Sequence, residues 1–216
     1  PASVTEQQAA AMMLKGLTAW FLLRRCYRVR AGESVLLHSA SGGVGLIALQ
    51  WAVSLAAHVI AVVSSDEKAE VARKYGAADV IVSDREDLVE RVRTITKRRG
   101  VSVVYDGVGK DTFFASLDCL MPRGMMVSYG NASGPVPPIS PLELTKRGSL
   151  YLTRPTLFHY IAKPSSLARG ASSLFEMVAS GKVKLRIGQT YPLADAAQAH
   201  RDLEGRKTTG STLLIP

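Results

Sequence analysis

The sequence contains few residues of the kinds that build metal sites or disulfide frameworks. Its two cysteines, Cys26 and Cys119, lie far apart and form no Cys-x-x-Cys motif. This spacing excludes a zinc knuckle and gives no sign of a disulfide-stapled secreted domain. The four histidines are also scattered, and none has ligand spacing with another histidine or a cysteine. We therefore predict no metal site and two free thiols in a cytoplasmic protein.

Long hydrophobic runs are also missing. No apolar stretch reaches the roughly 18–20 residues that a membrane span requires, and Lys15 interrupts the Ala-, Met- and Leu-rich beginning of the chain. The sequence starts at Pro1 without a basic n-region or a cleavage pattern. We accordingly expect no signal peptide, no membrane segment and an origin as part of a longer protein.

Acidic residues are outnumbered, because 18 Asp and Glu face 27 Lys and Arg, which gives a net charge of +9. The basic residues concentrate in short runs, at 24–30, 97–99, 146–147, 182–186 and 206–207. A solvated surface together with a site for a phosphorylated cofactor explains this excess. Nucleic-acid binding is the alternative, but no recognition-helix, aromatic RNA-stacking or zinc-finger pattern supports it.

The most informative stretch is 34–45, where a buried strand is followed by a glycine-rich turn and the start of a helix. In the dinucleotide-binding fingerprint the three key positions make the tight turn, admit a pyrophosphate and let helix and strand pack closely. Ala40, Gly42 and Gly45 take these positions in order. The free N–H groups of the first helical turn would complete an anion site. An ordinary structural turn is the alternative.

Strand and helix patterns alternate through the middle of the chain. Strands are predicted at 35–37, 59–63, 80–82, 101–105, 125–129 and 150–153, and helices between them at 44–56, 67–75, 87–96 and 112–120. Such alternation predicts a parallel sheet with right-handed crossovers. A longer helix is predicted from a capping box at 5–8 to about Arg25. Further predictions are helices at 167–180 and 194–204 and a closing strand at 212–215.

Several motifs together extend the glycine-loop interpretation to nearly the whole chain. These motifs lie at 14–18, 40–45, 104–109, 117–120, 130–134, 148–155 and 210–216. With them the chain resembles the C-terminal part of the NADPH:quinone oxidoreductases, in the zinc-independent branch of the medium-chain dehydrogenase/reductase family. The resemblance implies an α/β fold, a Rossmann-type doubly wound parallel sheet. It implies a dinucleotide-binding domain at 1–154 and a segment at 155–216 that belongs to a split, largely absent GroES-like catalytic domain.

The resemblance also assigns the cofactor, NADPH, to particular residues. It places Gly42, Gly43, Val44 and Gly45 at the pyrophosphate, and Ser64, Ser65 and Lys68 at the adenosine 2′-phosphate. This agrees with the sequence, because the second strand ends in two serines, whereas an acid there would repel a phosphate. Asp66 introduces a carboxylate nearby, although it would also serve as the N-cap of the next helix. Lys68 would otherwise be a solvated helix lysine.

Further cofactor positions follow from the same resemblance. Ser83 stands where relatives have a tyrosine near the adenine, so that contact is weakened or passes to Arg85. The remaining positions are Phe21, Val108, Tyr129, Gly130, Asn131, Ala132, Arg154, Pro155, Thr156 and Leu157. Asp106 is either a catalytic acid or a strand-end residue that accepts local backbone N–H bonds.

The implied activity is hydride transfer from NADPH to a quinone, with no obligatory general acid and therefore no catalytic residue named. Reduction of an α,β-unsaturated carbonyl and a non-catalytic nucleotide- or RNA-binding module are the alternatives. Without a full substrate cleft, the 216 residues alone are expected to be weakly active or inactive. We also expect a homodimer through the edge strand at 149–154, unless the Pro-rich loop at 134–141 covers that edge.

Overall fold

A computed structural model describes residues 4–216, which form a six-stranded parallel sheet flanked by helices and a smaller two-stranded sheet. The strands of the large sheet are β1 (Ser34–His38), β2 (His58–Val63), β3 (Asp79–Val82), β4 (Val101–Asp106), β5 (Leu120–Ser128) and β6 (Tyr151–Thr153). The small sheet pairs β7 (Ile187–Pro192) with β8 (Ser211–Ile215). No helix within the described range has the length and apolarity to cross a bilayer.

Nine α-helices accompany these strands in the described part of the chain. They are α1 (Glu6–Phe21), α2 (Gly43–Ser54), α3 (Asp66–Lys74), α4 (Leu88–Ile95), α5 (Phe113–Asp118), α6 (Leu142–Lys146), α7 (Leu157–Tyr160), α8 (Pro164–Ala179) and α9 (Ala196–Glu204). The capping box predicted at the start of α1 is confirmed, because Thr5 and Gln8 exchange side-chain and backbone hydrogen bonds. Gly76 ends α3 with a φ of +99°, as a C-cap glycine does.

The strand order β3-β2-β1-β4-β5-β6 confirms the predicted Rossmann-type sheet. The chain moves outward from β1 to β3, returns across the sheet to β4 and then continues to the other edge. The order reverses between β1 and β4, so a crevice opens there at the carboxyl ends of the strands. This is the place where open α/β sheets bind ligands, and the glycine-rich turn follows β1 directly.

Two hydrophobic cores cover opposite faces of the sheet, as a doubly wound fold requires. One core joins Val35 and Leu37 of β1 to Trp20 of α1 and Leu49 of α2. The other core joins Leu36 of β1 to side chains from α4 and α5. Because successive strand residues point to opposite faces, strands buried on both sides are continuously apolar. That pattern is why β1, β2 and β4 were detectable in the sequence.

The last third of the chain packs against the first helices of the sheet domain. Leu174 of α8 is fully buried, and its methyl groups lie where a side chain on Gly16 of α1 would stand. The Ser211 hydroxyl donates to the Ala11 carbonyl at 3.2 Å, and the Gly210 amide donates to the Ser41 carbonyl at 2.8 Å. The division into units at 154 stays a prediction.

Several element bounds differ from the sequence predictions. The helix expected to reach Arg25 is regular only to Phe21 and continues as a π-helical turn, Leu22–Cys26. The Tyr105 hydroxyl donates to the Leu22 carbonyl at 3.1 Å, which gives that carbonyl a second partner where the helix widens. Strand β5 begins at Leu120, earlier than expected. Leu120 pairs with Val101, but an irregular stretch around Arg123 separates this pair from the rest of the strand and interrupts the strand pattern in the sequence.

Further differences concern short or irregular elements. The helix expected at 112–120 stops at Asp118, since Leu120 already pairs with Val101. The edge strand β6 is limited to Tyr151–Thr153. Strand β7 and the short helices α6 and α7 were not predicted at all, and α8 begins at Pro164, before the expected residue.

Candidate functional site

The glycine-rich turn connects β1 to α2 with the geometry of an anion site. Gly42 is the N-cap of α2 and has no side chain, so the N–H groups of the first turn have no capping partner. Gly43 and Val44 supply two of these groups. A Cβ on Gly45 would stand 2.8 Å from the Ala40 Cα, so the predicted close approach of helix and strand is present. The positive end of the helix therefore faces the crevice, where it favours a negative group.

A cleft of about 500 Å³ extends from this turn along the carboxyl ends of β1 to β3. The side chains of Ser64 and Lys68 line it together with Arg206. The Lys68 Nζ donates to the Ser64 Oγ at 2.9 Å and to the backbone carbonyl of Arg206 at 2.6 Å. Lys68 is therefore held inside the cleft by two hydrogen bonds, which a solvated helix lysine would not be.

The electrostatics of this corner favour an anion. Burial lowers the pKa of Lys68, and the nearby Arg206 cation lowers it further, whereas Asp84 and Glu67 act in the opposite direction. Two cations that disfavour each other's charge gain stability when a phosphate lies between or beside them. Ser64 adds a hydroxyl to the same corner.

The carboxylates that line the cleft already have partners. Glu86 accepts from the Val82 amide at 2.8 Å and lies 2.7 Å from Arg91. The Asp87 carboxylate caps α4 by accepting from the Glu90 amide at 2.8 Å. Asp111 lies 3.9 Å from the Arg206 guanidinium. None of them stands at the end of β2, where an acid would select a ribose hydroxyl.

Asp66 does not cap α3, contrary to the interpretation offered from the sequence. The N-cap is Ser65, whose hydroxyl accepts from the Lys68 amide at 3.4 Å, while Asp66 follows as the first helical residue. Asp66 forms an exposed ion pair with Arg85 at 2.5 Å. Neither Ser65 nor Arg85 is among the residues that line the cleft, and the Ser83 hydroxyl there donates to the Val63 carbonyl at 3.1 Å.

Asp106 serves as a strand-end acceptor of local hydrogen bonds. Its carboxylate accepts from the amides of Val108 at 2.7 Å and Gly109 at 3.0 Å, and from the Thr112 hydroxyl at 2.7 Å. It has no exposed surface. The catalytic alternative for this residue is therefore dropped, because a carboxylate with these partners and no access cannot meet a substrate.

The two loops that follow β4 and β5 interlock. A Cβ on Gly130 would stand 2.8 Å from the Gly107 Cα, so only glycine permits this approach. The Ala132 amide donates to the Gly107 carbonyl at 3.2 Å. Ala132 and Val108 both line the cleft, whereas Gly130 and Asn131 do not, and their contact with the cofactor stays a prediction.

A second cleft, of about 390 Å³, lies beyond these loops. It brings together most of the residues that were expected near the far end of the cofactor, namely Phe21, Tyr129, Arg154, Pro155, Thr156 and Leu157. Thr18 also lines it. The Arg154 guanidinium donates to the Ser128 carbonyl at 3.0 Å, which fixes the segment after β6 against β5. Burial and the Asp106 charge raise the pKa of Tyr129, so its hydroxyl stays protonated.

Arg206, Thr208 and Leu203 line the first cleft although sequence reasoning did not select them. They lie far along the chain from the glycine loop, and the local sequence pattern does not predict that they fold back to the cleft. The signal in the sequence was the basic pair at 206–207, one of the runs that were explained together by a solvated surface and a site for a phosphorylated cofactor. Among residues 4–216, no group of three or more His, Cys, Asp or Glu side chains could hold a metal ion.

Comparison with known proteins agrees with this geometry. The family model described as Zinc-binding dehydrogenase matches residues 43–166. The quinone oxidoreductase of Pseudomonas aeruginosa is 49% identical over 216 residues, which cover all of this chain and 66% of that protein. The 2-haloacrylate reductase of a Burkholderia species is 48% identical over 96% of this chain and 62% of its own length.

A solved structure gives the same result. The crystal structure of Escherichia coli quinone oxidoreductase complexed with NADPH superposes on this chain with a TM-score of 0.98 at 50% sequence identity. The matched region covers 100% of this chain and 67% of the E. coli chain. The chain spans 66% to 67% of the length of the bacterial quinone oxidoreductases it matches. By sequence and by fold, the chain belongs to the zinc-binding dehydrogenase family and, within it, to the quinone oxidoreductases.

Proposed function

We propose that this chain binds NADPH and that the protein transfers a hydride from it to a quinone. The observation that carries the proposal is the cationic corner of the first cleft, where Lys68 and Arg206 meet beside Ser64. The end of β2 carries serines, not an acid, and Asp66 is paired with Arg85 outside the cleft. This corner suits a 2′-phosphate better than a free 2′-hydroxyl.

The rest of the chain fits the same dinucleotide. Gly42 leaves the positive end of α2 without a capping side chain, and Gly45 lets the helix pack closely against the turn at Ala40. Gly43 and Val44 would present their amides to the pyrophosphate, and Val108 and Ala132 would border the molecule between the two clefts. The E. coli relative was solved in complex with NADPH, which supports this choice of cofactor.

The nicotinamide supplies the hydride chemistry when NADPH is bound. This chain would orient the ring and exclude water through the side chains of the second cleft, above all Phe21, Tyr129 and Leu157. The reduced oxygens of a quinone can take protons from solvent. We therefore assign no general acid, and the raised pKa of Tyr129 keeps its hydroxyl neutral near the cleft.

Reduction of an activated carbon–carbon double bond is the second candidate. It needs the same hydride geometry, and a relative at 48% identity is a 2-haloacrylate reductase. We favour a quinone because the quinone oxidoreductases match the full chain at about the same identity. An RNA-binding role has no further support, since Lys68 and Arg206 line the proposed cofactor cleft.

We also propose a homodimer and a reducing compartment such as the cytoplasm. Strand β6 ends the strand order of the sheet, and Tyr151 on it is 58% exposed. The Pro-rich loop packs Val136 and Ile139 against the second core, on one face of the sheet, and we infer that it leaves this edge open. Both cysteines are free, as expected in a reducing environment.

The experiment that tests the activity is a steady-state assay of NADPH oxidation with a panel of quinones and enones. It is run on the 216-residue chain and on a protein that also carries the preceding part found in the longer relatives. We expect saturable quinone reduction by the longer protein and little turnover by the chain alone, because one wall of the acceptor cleft is then missing. If enones were reduced and quinones were not, the proposed quinone substrate would be wrong and an enone would take its place.

A further inference from the structure

A continuous chain of buried polar side chains lies beneath the first cleft. Asp106 and Ser116 have no exposed surface, and His38 is 1% exposed. The Ser116 hydroxyl lies 3.0 Å from the Asp106 Oδ2 and 2.9 Å from the His38 Nε2. The three residues come from β4, α5 and β1, so the chain crosses the switch point of the sheet.

The direction of each hydrogen bond follows from the donors present. The Asp106 carboxylate accepts from two amides and two hydroxyls, and Ser116 provides one of those hydroxyls. A serine hydroxyl has a single proton, so its oxygen must accept from His38. His38 therefore carries its proton on Nε2. Burial lowers the pKa of this imidazole, which is consistent with a neutral ring that has one proton.

Each end of this chain is attached to a loop of the cleft. Asp106 holds the amides of Val108 and Gly109, in the loop that interlocks with 130–134. His38 lines the cleft and directly precedes the glycine-rich turn. We propose that Ser116 is a positioning residue for the cofactor, whose hydroxyl fixes the loop after β4 relative to the turn after β1. The proposal rests on the proposed binding of NADPH at this cleft.

The nearest alternative is that Ser116 only fills space under the sheet. A filler would be replaced by alanine with a small loss of stability and no change in the loops. If Ser116 is a positioning residue, its replacement by alanine also loosens Val108 and Gly109, because Asp106 then keeps three of its four donors and is held less firmly. Ser102 provides a matched control, since it is a buried serine of β4 whose hydroxyl contacts the Met121 sulfur, at 3.9 Å, and the Tyr27 side chain, neither of which lines the cleft.

The experiment compares the unaltered chain with Ser116→Ala, Ser116→Thr and Ser102→Ala by NMR and by calorimetric titration with NADPH. We expect the unaltered chain to show the Nε2–H tautomer of His38 in its nitrogen shifts. In Ser116→Ala, amide exchange of Val108 and Gly109 should accelerate by about tenfold and the Kd for NADPH should rise about fivefold to tenfold. Ser116→Thr, which keeps the hydroxyl, should restore both, and Ser102→Ala should change neither.

An Nδ1–H tautomer in the unaltered chain would overturn the proposal even if Ser116→Ala did not fold. The proposal also fails if Ser116→Ala and Ser102→Ala behave alike in amide exchange and NADPH affinity. Failure of the unaltered chain to bind NADPH would defeat the proposed function and the positioning role with it. The His38 tautomer and the amide exchange are measured without cofactor. They therefore show whether the hydrogen bonds among His38, Ser116 and Asp106 are present even if NADPH does not bind.

Discussion

The Lys68 ammonium donates a hydrogen bond to the backbone carbonyl of Arg206 at 2.6 Å, across 138 positions of the sequence. Arg206 has a φ of +58°, a left-handed conformation that residues with side chains rarely adopt. The contact connects the second βα unit to the segment between α9 and β8. It brings two cations to one corner of the cleft, and that corner is the basis of the proposed preference for a phosphorylated cofactor.

Replacement of Lys68 should weaken NADPH more than NADH. The Lys68→Ala variant loses a cation at the proposed 2′-phosphate position, so the ratio of the NADPH affinity to the NADH affinity should fall by about tenfold while NADH binding changes little. Calorimetric titration with both cofactors measures the ratio. Lys74→Ala is the matched control, because Lys74 is an exposed lysine at the end of the same helix. If Lys68→Ala lowered the affinities for NADPH and NADH equally, this lysine would not distinguish the 2′-phosphate.

The glycine turn should tolerate a methyl group at one position and reject it at another. In Gly45→Ala the new Cβ stands 2.8 Å from the Ala40 Cα, and backbone cannot easily move away. We expect a loss of about 2 kcal/mol or more in the free energy of unfolding, and much weaker NADPH binding.

Gly43→Ala is the matched comparison for Gly45→Ala. There the three atoms nearest the new Cβ all belong to the Lys15 side chain, with the Cδ at 2.7 Å, and a flexible lysine can withdraw. Its free energy of unfolding, from urea denaturation, should change by less than about 1 kcal/mol. Equal destabilisation by the two substitutions would contradict the packing account of Gly45.

The folded chain should lose stability above roughly pH 9. Burial raises the pKa of the Cys119 thiol from 9.0 to about 12 and raises the pKa of Tyr105 well above 10.0. In this window the unfolded chain releases protons that the folded chain retains, so the free energy of unfolding falls as pH rises. Each group contributes about 1.4 kcal/mol per pH unit within its window.

Cys119→Ala tests that linkage. Its free energy of unfolding, measured by urea denaturation between about pH 8 and pH 11, should fall less steeply than that of the unaltered chain. Below pH 8 the two curves should run parallel, offset only by the packing lost with the sulfur. Identical slopes above pH 9 would exclude Cys119 as a contributor.

The edge strand should control the oligomeric state. Leu152→Pro removes one backbone donor from β6, which lies at the end of the strand order. We expect the unaltered chain to be a dimer at tens of micromolar by light scattering, and the proline variant to be a monomer that still binds NADPH. Leu152→Val keeps a strand former at the same position and should remain dimeric. A monomeric unaltered chain would refute the dimer.

Much of the sheet could be predicted because its central strands are buried on both faces. Val59–Val63 and Val101–Tyr105 form apolar runs that leave few alternatives. Strand β7 escaped detection because its residues alternate between half-buried and exposed and include Gly188, whose missing side chain leaves room for the Thr209 backbone. Weak local patterns of this kind are decided by tertiary contacts, in this instance by pairing with β8.

Site residues that directly follow a strand could be predicted from the sequence, whereas residues that reach the cleft from a distant part of the chain could not. Gly42, Ser64 and Lys68 follow β1 and β2 directly, so the fold class alone places them in one crevice. Arg206 enters through a long-range contact that no local pattern encodes. The sequence could not decide whether Ser65 or Asp66 caps α3, because serine and aspartate are both common N-cap residues. The structure shows that Ser65 is the cap.

The most direct test of the account is a calorimetric comparison of NADPH and NADH binding to the unaltered 216-residue chain. The cationic corner at Lys68 and Arg206 predicts that NADPH binds about tenfold to a hundredfold more tightly, since each charge-assisted phosphate contact is worth about 1.5–3 kcal/mol. The preference should shrink as salt is added, because screening weakens the phosphate contact. Equal affinities, or tighter binding of NADH, would contradict the assignment of this corner to the 2′-phosphate.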